Sequence, residues 1–104
     1  MIDFAKDPTA ISSLIKSGET FMVLFQMDNC PACKEAKTKL SGSSKDALIV
    51  LIDVKNPNNR AVVGPNNITA VPTAVIVSPS KNKIYPFLEG FDVSAYDLFI
   101  NGEY

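Results

Sequence analysis

Histidine is absent from the 104 residues, so the side chain that most often serves as a general base near neutral pH plays no part in any chemistry here. The same absence starves a metal site, because two thiolates alone cannot complete a tetrahedral zinc shell. Long apolar runs are also missing. The longest, Ala47 to Ile52, is six residues, far below what crosses a bilayer, and a soluble protein is expected. Charge of one sign is lacking too: ten basic and eleven acidic residues are spread along the chain, which leaves no electrostatic footprint for nucleic acid or anionic lipid. The first residues, Met1-Ile2-Asp3-Phe4-Ala5-Lys6-Asp7-Pro8, show no basic region followed by an apolar one, so a cytoplasmic location is the default expectation.

Cysteine is scarce, and that scarcity is informative. It occurs only as Cys30-Pro31-Ala32-Cys33, between an apolar run that reads as a strand and a Lys/Ala/Leu stretch that reads as a helix. In a reducing compartment a lone close pair is more often catalytic or metal-binding than a permanent staple. A metal centre would need two chains to share Cys30 and Cys33. Nothing in the sequence indicates dimerisation, so a monomer with no metal is expected. The plain alternative is a pair of buried structural cysteines.

A length of 104 residues and an apolar fraction of 46% fit one globular domain, residues 1 to 104. Along the chain, Ile2 to Phe4 reads as a possible first strand. Asp7 stands at a helix cap with Pro8 in the first turn, Ile11, Leu14 and Ile15 share one face, and Gly18 ends the helix. Phe21 to Phe25 reads as a strand covered on both faces. From Pro31 the pattern turns helical, with Ala32, Ala36 and Leu40 inward, Lys34, Glu35, Lys37 and Lys39 outward, and Gly42 at the end. Ala47 to Ile52 reads as a buried strand ending at Asp53. Asn56-Pro57 opens a short helical piece that stops near Gly64-Pro65.

Thr73 to Val77 is the next strand, and Ser78 to Asn82 turns the chain back into Lys83 to Leu88, a strand that Pro86 confines to a sheet edge. A last helix begins near Val93, with Ser94 and Asp97 at capping-box spacing and Tyr96, Phe99 and Ile100 on one face. The order β-α-β-α-β-α-β-β-α predicts an α/β fold with a mixed central sheet and helices on both faces. Its first three strands should be mostly parallel and its final pair antiparallel.

The position of the cysteine pair suggests unequal roles for the two sulfurs. At the start of a helix, the Cys30 sulfur faces unpaired amides and the positive end of the helix dipole, which favour the thiolate. Pro31 suits the first turn and leaves no amide unpaired there. Cys33, one turn on and facing inward, lies close enough to resolve a mixed disulfide formed at Cys30. Lys34 supports a Cys30 thiolate and Asp28 opposes it.

With C-x-x-C between the second strand and second helix, Ile68-x-x-Val71-Pro72-Thr73, and Gly90 before the last helix, the chain resembles the thioredoxin superfamily over essentially its whole length. The resemblance implies a cis Val71-Pro72 bond that sets Pro72 against the Cys30 sulfur. It also implies a Val71 backbone free to pair with a substrate strand, and Gly90 lining the same groove. It implies a thiol-disulfide oxidoreductase that reduces protein disulfides and is recycled by thioredoxin reductase, with no cofactor beyond the Cys30-Cys33 couple. Pro31 directly after the first cysteine, and Gly90-Phe91-Asp92, are more like glutaredoxins, which makes glutathione an alternative electron source and co-substrate. A third possibility is a protein-binding module that uses the surface around Cys30, Pro72 and Gly90 with little redox turnover.

Two departures stand out. Thioredoxins usually carry Trp-Cys-Gly-Pro-Cys, and this chain has Asn29-Cys30-Pro31-Ala32-Cys33 and no tryptophan. Their buried acidic residue and its lysine neighbour correspond here to Leu24 and Ile49, so deprotonation of Cys33 needs water or another group.

Overall fold

A computed structural model describes all residues from Met1 to Tyr104. The strand Phe21–Gln26 (called β2) is the axis of the structure, and all six of its residues are buried. Its run of large apolar residues has no polar face to present to water, so it holds only where both faces are covered. On one side it pairs in parallel with β3 (Ile49–Asp53), which pairs in parallel with the short edge strand β1 (Ile2–Asp3). On the other side it pairs antiparallel with β4 (Thr73–Ser78). Beyond β4 lie β5 (Lys83–Ile84) and β6 (Leu88–Glu89), both antiparallel to it.

Alternation along the strands sends side chains to two cores. Met22, Leu24, Ile49, Ala74 and Ile76 face Ala36 and Leu40 of α2 (Pro31–Ser41) and Tyr96 and Phe99 of α4 (Val93–Ile100). Phe21, Val23, Phe25, Val50, Ile52 and Val75 face the opposite layer, where Ala10 of α1 (Ala10–Ser17) and Val62 of α3 (Arg60–Val63) pack. The fold is therefore α/β, a mixed sheet with helices on both faces, in the expected element order. No helix is long and apolar enough to cross a membrane.

Several boundaries differ from the sequence reading, each for a local reason. Helix α1 starts at Ala10, not at Pro8, because the Asp7 carboxylate accepts from the Thr9 hydroxyl at 2.9 Å and its carbonyl accepts from the Ala10 amide at 3.1 Å, closing a turn ahead of the helix. Ala47 and Leu48 belong to a single 3-10 turn, Asp46–Leu48, and the third strand begins only at Ile49. Ala32 is half-buried; the fully buried face of α2 is Cys33, Ala36 and Leu40. The last strand is broken in two, because Pro86 has no amide to donate after Tyr85 N–H reaches the Ile76 carbonyl at 2.9 Å. The cap of α4 is Asp92, not Ser94: its carboxylate accepts from the Ser94 amide at 3.0 Å and the Ser94 hydroxyl at 2.6 Å. Asp97 instead pairs with Lys39 across α2 and α4 at 2.7 Å.

Candidate active site

The C-terminal end of β2 delivers Cys30 to one end of the sheet. Asn29 takes a left-handed φ of 59°, which turns the chain abruptly from strand to helix, and Asn tolerates that conformation better than most residues. Cys30 follows in extended geometry as the N-cap of α2, with Pro31 at the first helical position. The Cys30 carbonyl accepts from the Lys34 amide at 3.0 Å, so the helix is wound from its first turn. Cys33 then falls one turn along, on the inner face, where it is fully buried, while Cys30 is half-buried. The two cysteines form a disulfide with their Cα atoms 5.2 Å apart. The Cys33 amide, one of the helix's otherwise unpaired donors, points at the Cys30 sulfur at 3.2 Å.

A second loop meets this one. The Val71-Pro72 bond is cis, Pro72 is fully buried, and the Val71 carbonyl oxygen lies 4.0 Å from the Cys30 sulfur. The Thr73 hydroxyl donates to the Ala70 carbonyl at 2.8 Å and ties the loop to the start of β4. From the far side the Gly90 amide donates to the Pro72 carbonyl at 2.8 Å. Gly90 has φ of +76°, so its place at the junction of β6 and α4 depends on the freedom of glycine. Cys30, Val71, Pro72 and Gly90 thus converge at one end of the sheet, while Pro31 and Ala32 form the first turn of α2.

Beneath Cys33 the core is apolar. Leu24 and Ile49 are both fully buried in the layer that holds Ala36, so neither a carboxylate nor an ammonium occupies those places. The one titratable group among the buried residues of that layer is Tyr96, whose hydroxyl is buried with no hydrogen-bond partner in the protein. Its burial pushes it up to about 12. On the exposed side, hydrogen bonds from the side chain and amide of Ser94 hold the Asp92 carboxyl below its ordinary range.

Three features of the surroundings were not read from the sequence. The Lys37 ammonium donates to Gln26 Oε1 at 3.0 Å, joining α2 to the end of β2. Met27 lines two clefts, one of ≈ 740 Å³ that Cys30 also lines, toward α2, and one of ≈ 230 Å³ toward the loop of Ile68 to Val71. Lys55, just past β3, lines the smaller cleft. Only Lys37 carried a signal, its helical spacing from Cys33; the rest depends on which loops the sheet order brings together.

No protein-family model matches the chain, and no curated protein sequence does. Solved structures do. Fasciola hepatica thioredoxin superposes with a TM-score of 0.76 at 21% identity, covering 100% of both chains. The chain has the thioredoxin fold. Oxidised thioredoxin O2 from Arabidopsis thaliana aligns over 100% of this chain and 91% of its own, at TM-score 0.73 and 18% identity. Oxidised thioredoxin from Plasmodium falciparum aligns over 98% and 96%, at 0.72 and 22%. The thioredoxin fold explains why a C-x-x-C at the end of β2 and an X-Pro at the start of β4 face one another: antiparallel β2 and β4 bring the exit of one to the entry of the other. The Cys30-Cys33 couple in that setting has the chemistry of a thiol-disulfide exchanger, since one sulfur is accessible and the other lies within reach to displace whatever it binds.

Proposed function

We propose that the protein is a thiol-disulfide oxidoreductase that reduces protein disulfides. One observation carries this reading: a half-buried Cys30 sulfur at the start of α2 receives the Cys33 amide at 3.2 Å and is bonded to Cys33, the sulfur needed to close the cycle. In the dithiol form the Cys30 thiolate attacks one sulfur of a substrate disulfide and expels the other as a thiolate, which takes up a proton. Cys33, once deprotonated, attacks the Cys30 sulfur of the mixed disulfide and expels the second substrate thiolate. Two electrons pass to the substrate, and the Cys30-Cys33 disulfide remains.

Val71, Pro72 and Gly90 are proposed to hold the substrate. The Val71 backbone borders the Cys30 sulfur, and an extended segment can add to an exposed strand edge by main-chain hydrogen bonds. The Cys33 proton leaves through water in this scheme, because the core around Leu24 offers no carboxylate. Thioredoxin reductase is the proposed electron donor, with glutathione the alternative suggested by the Cys-Pro-x-Cys order. The reducing cytoplasm is the compartment in which such a pair works as a reductant.

Turnover of an insulin-type disulfide with thioredoxin reductase, set against turnover of a mixed glutathione disulfide, distinguishes the two donors. Failure in both assays, together with a partner interaction that survives replacement of both cysteines, would make the chain a binding module instead.

A further inference from the structure

The two clefts that meet at Met27 carry an uneven charge. Lys34 and Lys37 line the larger cleft and Lys55 the smaller, against a single carboxylate, Asp28. The chain as a whole has net charge −1, so an excess of two positive charges here is a local departure. None of the three lysines is neutralised within the protein. Its two ion pairs are Met1 with Asp46 and Lys39 with Asp97, and Lys37 donates only to the neutral Gln26 amide. Asp53 is near Lys55 in sequence but lines neither cleft, and its carboxylate accepts from the Lys55 backbone amide at 2.9 Å. The smaller cleft otherwise presents apolar groups, Met27, Val54, Ile68 and Val71 among them.

Across the site the sign reverses. The sheet order places Lys55, after β3, and Glu89, in β6, on opposite sides of β2 and β4, and Asp92 follows Gly90 on the β6 side. The lining of the two clefts is therefore net positive, while the carboxylates of Glu89 and Asp92 lie on the β6 side of the sheet and outside both clefts.

We infer that the substrates of this site are extended polypeptide segments with acidic residues beside the half-cystine that Cys30 attacks, those residues lying toward Met27 and Lys55 and not toward Gly90. This inference rests on the disulfide-reductase reading and adds the substrate class to it. Charges of this kind, at an exposed rim, act through encounter rate and register more than through final affinity, so their effect falls with salt.

The test uses the reduced 104-residue protein and three peptide disulfides identical except for Glu, Gln or Lys at a single position beside the cysteine, tried in turn before and after it, with oxidised glutathione as a fourth oxidant. Rates of dithiol oxidation are measured by stopped flow at low and high salt. The expected order is Glu above Gln above Lys, with about tenfold between the extremes at low salt and a ratio near one at high salt. Lys55→Glu alone should shrink the Glu-to-Lys ratio severalfold, and Lys34→Glu with Lys55→Glu should invert it. Equal rates for the three peptides overturn the inference while leaving the reductase reading intact, as does a ratio that Lys55→Glu does not move. A faster reaction with oxidised glutathione than with the Glu peptide also overturns it. Failure of every oxidant to oxidise the dithiol removes the reductase reading itself.

Discussion

The Gly90 amide donates to the Pro72 carbonyl at 2.8 Å, and this hydrogen bond ties the approach to α4 to the loop that borders Cys30. It requires Gly90 to hold φ of +76°. A Cβ added there meets no atom within 4 Å, so the cost of Gly90→Ala is conformational and not steric. A destabilisation of about 1–2 kcal/mol is expected from the left-handed backbone, measured by denaturant unfolding. A larger loss would mean that the added methyl group collides with something.

The two cysteines should fail differently when replaced. Cys30→Ser removes the attacking group and abolishes disulfide exchange. Cys33→Ser leaves attack in place but removes the resolving sulfur, so a covalent mixed disulfide accumulates and is visible by mass under non-reducing conditions. Identical behaviour of the two variants would contradict the division of roles.

Tyr96 gives a stability prediction with a defined pH window. Its hydroxyl is buried without a protein partner, and burial raises its ionisation from 10.0 to about 12. The unfolded chain loses this proton above pH 10 and the folded chain holds it until about pH 12, so folding stability falls as pH rises through that interval. By pH 11 the loss from this one group is about 1 kcal/mol. Tyr96→Phe removes that share of the alkaline loss, and at neutral pH it should be neutral or stabilising by about 1 kcal/mol, because no hydrogen bond is given up. Denaturant titrations of both proteins at neutral pH and pH 11 measure the difference.

Helices α2 and α4 are joined by two kinds of contact of unequal worth. Leu40 is fully buried beside Tyr96 and Phe99, and Leu40→Ala is expected to cost about 2–5 kcal/mol. The Lys39–Asp97 pair has both side chains more than a third exposed, at 35% and 40%, so solvent screens it. Asp97→Asn should cost less than about 1 kcal/mol. Unfolding midpoints of the two variants give the ranking, and a reversal would place the interhelical stability in the ion pair.

The strongest signals in the sequence were those of period and punctuation. The unbroken apolar run at Phe21 to Phe25 implied a doubly covered strand, and β2 is buried throughout. Gly18 and Gly42 marked the ends of α1 and α2, whereas Pro86 falls in the break between β5 and β6 and not inside one edge strand. Caps were less legible, because Asp92 and Ser94 are equally good cap formers two residues apart, and only the fold of the loop decides between them.

At the site, the spacing of Cys30 and Cys33 and the run into α2 were readable locally. The convergence of Pro72 and Gly90 on Cys30 was accessible only through the family pattern, because it depends on β4 running antiparallel to β2 and on β6 joining β4. The net positive lining of the two clefts was not legible at all. Lys34 lies on α2, Lys55 in the loop after β3 and Glu89 on β6, and no local pattern relates their charges.

Ionisation of Cys30 is the most direct measurement. The rate of alkylation by iodoacetamide, followed against pH in the reduced protein and in Cys33→Ser, reports the thiolate that the Cys33 amide and the start of α2 stabilise. A midpoint well below the value of about 8.5 for free cysteine is expected in both. A midpoint at or above that value, or a Cys30 that alkylating reagents do not reach, contradicts the proposed chemistry.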